Sequence, residues 1–119
     1  MREDMKILIA ENFTALLEKE DIDKITVKQL SEECHISRQT FYYHFRDIMD
    51  VLEWTFRRAA TEAAEQSLES ENHLDALRIF TSFVAENKNK LDRLVNSKNW
   101  IQIEGILVES VAMYLGKIA

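Results

Sequence analysis

Not one proline interrupts this chain, and its two glycines, Gly105 and Gly116, both lie near its end. Strands and hairpins rely on residues that break helices or adopt left-handed turns. A chain with almost none of them has little option but to run helix into helix. The spacing of apolar residues agrees: Ile9, Phe13, Leu16 and Leu17 recur at helical intervals within residues 3–19, with charges between them. The predicted class is all-α.

Polar residues mark where further helices begin. Thr26 followed by Gln29 has capping-box spacing and predicts a helix over 27–34 that buries Val27, Leu30 and Cys34. Ser37 is a good N-cap for the next, which buries Phe41 and Phe45, so the residues between, "HIS", form a tight turn. Asp47 starts a long fourth helix carrying Val51, Leu52, Trp54, Phe56 and a run of alanines. Asn72 starts a fifth with Leu77, Phe80, Phe83 and Val84; Leu91, Leu94 and Val95 form a short sixth; and residues 99–117 form a last helix that is apolar nearly all round.

Several function classes drop out. The chain is 46% apolar, but no stretch approaches the roughly 18 apolar residues that a membrane span needs. Charges punctuate "MREDMKILIAENF", so no signal peptide is expected, and a single cysteine, Cys34, agrees with a reducing cytoplasm. Cys34 reads as a buried apolar side chain. No histidine or cysteine cluster has metal spacing, and Glu62, Glu65, Glu69 and Glu71 read as a solvated acidic face rather than a catalytic pair. An enzyme, a resident cofactor and a membrane partner are not expected.

Net charge is −6, which on its own opposes polyanion binding. The charge is uneven. Between Lys24 and Arg46 four basic residues (Lys24, Lys28, Arg38, Arg46) meet two acidic ones (Glu32, Glu33), a local excess of two positive charges. This island holds the two short helices. Two such helices joined by a tight turn, the second rich in polar and aromatic residues, describe a helix-turn-helix DNA reader. Leu30, Ile36 and Phe41 are apolar where the pair must pack, and Ser31 is small where the helices cross. With Phe41 and Phe45 turned inward, the exposed face carries Arg38, Gln39, Tyr42 and Tyr43, flanked by Ser37, Thr40 and His44. Tyrosine hydroxyls and an imidazole can donate to phosphate oxygens while their rings pack on sugars and thymine methyls. Arg38 suits guanine edges and Gln39 adenine edges.

These residues also carry a resemblance. "ITVKQLSEECHISRQTFYYHFRD" resembles the DNA-binding head of the TetR (TetR/AcrR) family of bacterial regulators, over roughly residues 5–55. The resemblance implies phosphate contacts from Thr26, Ser37, Thr40, Tyr42 and His44, and base-edge or methyl contacts from Arg38, Gln39 and Tyr43. Lys28, in the same basic island, joins this set. Two positions depart from the family pattern. His35 stands where the turn usually has glycine, and Ile48 stands where a lysine often meets phosphate, a role that Arg46 is expected to take. "HFRDIMDVLEW" is similar to a subgroup that includes regulators of dihydroxyacetone kinase genes.

The expected architecture is a helix-turn-helix head over residues 1–47 and a helical ligand-binding and dimerisation domain over 48–119, short against the family's usual second domain. Trp54, Phe56, Phe80, Phe83 and Trp100 are expected to form core, with lining of an effector pocket as the alternative. One face of the last helix (Ile103, Ile106, Leu107, Val111, Tyr114) is expected to cover the fifth helix. The other (Trp100, Ile101, Val108, Leu115) is expected to form a homodimer interface. The expected function is a cytoplasmic, nucleoid-associated repressor. It binds double-stranded DNA as a homodimer on a palindromic operator, and a small-molecule or protein effector relieves repression. The rival readings are an activator or co-activator of the same fold and a helical adaptor that binds no DNA.

Overall fold

The computed structural model describes residues 2–69 and 72–118, so Glu71 of the acidic stretch lies outside the described residues. Its helices are α1 (Arg2–Leu17), α2 (Val27–Glu33), α3 (Arg38–His44), α4 (Ile48–Glu69), α5 (His73–Glu86), α6 (Lys88–Val95) and α7 (Trp100–Ile118), with a 3-10 turn at Ile22–Lys24 between α1 and α2. No strand occurs among the described residues.

The helices begin where short polar side chains satisfy the first free amides. Thr26 Oγ1 accepts from the Gln29 amide at 3.1 Å, Ser37 Oγ from the Thr40 amide at 3.0 Å, Asp47 Oδ1 from the Asp50 amide at 2.8 Å and Asn72 Oδ1 from the Asp75 amide at 3.0 Å. The capping box at Thr26 is only half made. Instead of reaching back, Gln29 Nε2 donates to Glu20 Oε2 at 2.8 Å, which ties the start of α2 to the end of α1. The break between α5 and α6 is also tighter than the polar run "ENKNK" suggests. Asn87 ends one helix and starts the next, its Nδ2 donating to the Phe83 carbonyl at 2.8 Å.

The turn between α2 and α3 depends on His35, whose φ is 57°. The Ile36 amide donates to the Ser31 carbonyl and the His35 amide to the Glu32 carbonyl, the pair of bonds that closes a helix through one left-handed residue. A side chain at such a φ carries a steric penalty that glycine avoids. His35→Gly is therefore expected to leave stability unchanged or to raise it by up to about 1 kcal/mol. Chemical denaturation checks this, and a loss above about 1 kcal/mol would reveal a native contact of the imidazole.

One apolar cluster runs through head and body. Ile9, Phe13, Leu30, Phe41 and Phe45 from the first three helices share it with Val51 and Leu52 of α4, Leu94 of α6 and Ile103 and Ile106 of α7. Ser31 is buried where α2 packs. Where the sequence suggested that α7 would cover α5, the helix instead lies along α4 and meets α5 only at its edge. The alanine run of α4 explains the choice, since small side chains let a second helix approach closely; Ala64 is fully buried. Tyr114 fixes the far end. Its hydroxyl lies 2.8 Å from Ser67 Oγ on α4 and donates to the Ala76 carbonyl of α5 at 3.1 Å, and its ring rests near Phe80. Trp100, expected on the outer face, is half-buried against the core.

Candidate nucleic-acid interface

Helix α3 presents two faces of opposite character. Phe41 is fully buried and Phe45 nearly so, whereas Tyr42 and Tyr43 are 55% and 66% exposed. Those exposures exclude a core role, because a side chain needed for packing would not leave more than half its area in water. The exposed rings are also oriented. Tyr42 stands edge-on to Phe41, with centroids 5.4 Å apart, and Tyr43 edge-on to His44 at 5.0 Å. Arg38 and Gln39 are exposed beside them in the first turn of α3, and His44 is half-buried at its last residue.

Around this face sit the groups expected to meet phosphates. Thr26 and Ser37 both open helices, so their hydroxyls are fixed at the ends of α2 and α3 by the caps that they form. Ser37 Oγ also donates to Thr40 Oγ1 at 3.0 Å, which commits the Ser37 proton and leaves the Thr40 hydroxyl as the outward donor of the pair. Lys28 is exposed in the first turn of α2. Arg46 is exposed between α3 and α4, its guanidinium 3.6 Å from the Asp50 carboxylate, while its amide donates to the same carboxylate at 2.9 Å. An ion pair so exposed is weak and readily exchanged for a phosphate. Ile48 is half-buried, and the start of α4 carries the carboxylates of Asp47 and Asp50, so the positive charge there is that of Arg46.

One cation near this surface has no signature in the linear sequence. Lys6 of α1 lies 5.3 Å from the centroid of the Phe45 ring, beside the C-terminal end of α3. Its place follows from the packing of α1 against α3 and from nothing local to residue 6. Cys34, by contrast, carries no chemistry. Burial, with Glu33 adding to it, pushes its thiol up to about 11, so it stays protonated near neutrality.

The aromatic residues of the second half divide. Phe56, Phe80 and Phe83 line an apolar cavity of about 210 Å³ between α4, α5 and α7, with Leu107 and Tyr114. Trp54 lines a second space of about 180 Å³ between α1, α4 and α6, and its ring stands edge-on to Phe45 at 6.0 Å. Among the described residues no group of three or more histidines, cysteines or carboxylates could hold a metal, and no helix is long and apolar enough to cross a membrane.

Residues 14–53 match the family model of bacterial regulatory proteins of the tetR family. The match runs from the last turn of α1 to the first turn and a half of α4, and so includes both helices of the helix-turn-helix and the His35 turn. No curated protein and no solved structure matches the chain.

Proposed function

We propose that this chain, whose residues 14–53 match the tetR family of bacterial regulatory proteins, is a DNA-binding transcriptional regulator that acts as a ligand-responsive repressor, bound as a homodimer to a palindromic operator. The observation that carries the reading is the exposed aromatic and polar face of α3 on a buried Phe41–Phe45 seam, rimmed by Thr26, Lys28, Ser37, Thr40 and Arg46. In this reading Arg38, Gln39 and Tyr43 meet base edges and thymine methyls in the major groove. Tyr42, His44 and the rim fix register through phosphates.

Support for a homodimer comes from α7. Ile101, Val108 and Leu115 are 89%, 60% and 53% exposed and follow one another every seven residues along the side away from α4. Gly105 and Ala112 lie between them, and Glu104, four residues before Val108, places one charge on the same side. A Cβ added at Gly105 meets nothing within 4 Å inside the protomer. Glycine in mid-helix costs about 1 kcal/mol relative to alanine, and no neighbour in the protomer accounts for it. A second α7 packed closely there does. Ile101 and Leu115 lie symmetrically about Val108, as an isologous two-fold contact requires. Support for an effector comes from the cavity lined by Phe56, Phe80 and Phe83, whose walls suit a small apolar molecule.

The test is selection of bound duplexes from a random library by the intact chain. The expected product is an inverted repeat whose half-sites lie about one helical turn apart, with retardation that weakens steeply with salt. Failure to enrich any sequence would overturn the reading. Within the selected site, Tyr42→Phe is expected to weaken binding to every sequence alike, by about 0.5–1.5 kcal/mol for one lost hydrogen bond. Gln39→Ala is expected instead to relax preference at one or two positions. Titration and repeated selection distinguish the two, and an unchanged affinity for Tyr42→Phe removes that hydroxyl from the contact set.

A further inference from the structure

The 3-10 turn before α2 holds two carboxylates that do not serve their own backbone. Asp21 stands at the N-cap position of that turn and makes no side-chain cap. Its Oδ1 instead accepts from Arg93 Nη1 of α6 at 3.3 Å. Asp23 Oδ1 accepts from Ser97 Oγ at 2.6 Å and its Oδ2 from the Lys98 amide at 2.9 Å, so one side chain clasps the loop between α6 and α7. These two bonds, Ser97 first, hold its carboxyl below the usual carboxylate range. Ser97 is itself buried, and its oxygen also accepts from the Asn99 amide at 2.9 Å. Between the two acids Ile22 is 2% exposed, a pin in the shared core. Close by, Lys90 of α6 lies 3.2 Å from Glu18.

This cluster adds a polar attachment between head and body to the shared apolar core and the packing of α1 on α4 and α6. The covalent route is the short link from α3 into α4, which Phe45, Arg46 and Asp47 span. Apolar packing is non-directional, whereas directional bonds from a different element fix the angle at which the packed head sits. The Asp23 attachment precedes Thr26, the cap of α2, and it is held by the loop that launches α7.

We infer that the Asp21–Arg93 and Asp23–Ser97–Lys98 contacts are a latch that fixes the orientation of each head on its body, and through it the half-site spacing that two heads can reach. Asp23 and Arg93 are thus positioning residues that touch no DNA. The inference rests on the dimeric reading above, since spacing has meaning only for two joined heads. It also gives α6 and α7 a route to the head that bypasses α4, because Lys90 and Leu91 line the space beside α1 while Leu91 and Leu107 line the apolar cavity.

The experiment measures dissociation constants of the intact protein for duplexes bearing two selected half-sites at spacers changed one base pair at a time, and for a duplex bearing one half-site. The wild type is expected to vary at least about tenfold across spacers, and Asp23→Ala to reduce that variation below about threefold with single-half-site affinity kept within about twofold. Ser97→Ala and Arg93→Gln attack the latch from the body side and are expected to flatten the profile in part. Asp23→Asn, which keeps one acceptor, is expected to retain more selectivity than alanine. A purely structural role predicts something else, an equal loss at every spacer and on the single half-site, and that result would overturn the latch. So would an unaltered profile in Asp23→Ala. A wild type that sediments as a monomer and shows no spacer dependence overturns the dimeric reading and the latch with it. A dimeric, spacer-sensitive wild type matched by Asp23→Ala overturns the latch alone.

Discussion

Phe41→Ala is expected to destabilise the protein by about 3–5 kcal/mol, a large part of the 5–15 kcal/mol that holds a domain of this size. Phe41 is completely buried, its ring 5.4 Å from that of Tyr42 and 6.0 Å from that of Phe45. The substitution leaves a cavity where α1, α2 and α3 meet, and short helices cannot close over it without moving the turn at His35. Operator binding is expected to fail with stability, because Tyr42 loses the ring edge that orients it. Urea denaturation measures the loss. A cost under about 1.5 kcal/mol would mean that the head repacks and that α3 is not rigidly presented.

Val108→Glu is expected to act in the opposite way, with little effect on the protomer and a large one on assembly. Val108 is 60% exposed and sits midway between Ile101 and Leu115 on the exposed apolar stripe of α7. A two-fold pairing centred there brings the two introduced carboxylates face to face in an apolar seam. Desolvation and like-charge repulsion together are expected to weaken the dimer by at least about 100-fold. Sedimentation at micromolar concentration is expected to give a dimer for the wild type and a monomer for the variant, with similar denaturation midpoints when both are measured as monomers. A monomeric wild type would remove the interface and leave one head to hold one half-site. Gly105→Ala sharpens the comparison. It is expected to stabilise an isolated protomer by up to about 1 kcal/mol through helix propensity while weakening the dimer by crowding the seam.

What the sequence determined by itself is local. Thr26, Ser37, Asp47 and Asn72 start helices because each oxygen accepts from an amide three residues ahead, a bond whose geometry needs no other part of the chain. The facing of α3 was legible for the same reason: Phe41 and Phe45, four apart, choose the buried side, and Tyr42 and Tyr43 are left outside. His35 could be placed in a left-handed turn only through the family resemblance, which puts a glycine at that position. The tertiary structure decided which apolar face meets which. Helix α7 is apolar nearly all round, so its pattern could not tell α4 from α5, and only the low alanine surface of α4 settled the matter through close packing. The same holds for Trp100, drawn onto the core, and for Lys6, brought beside Phe45 by the docking of α1. It holds most of all for Asp21 and Asp23. Nothing in the sequence around them names a partner, yet their partners are Arg93, Ser97 and Lys98, more than seventy residues away. Short-range bonds are written in residue type and spacing. Long-range ones depend on where whole helices come to rest.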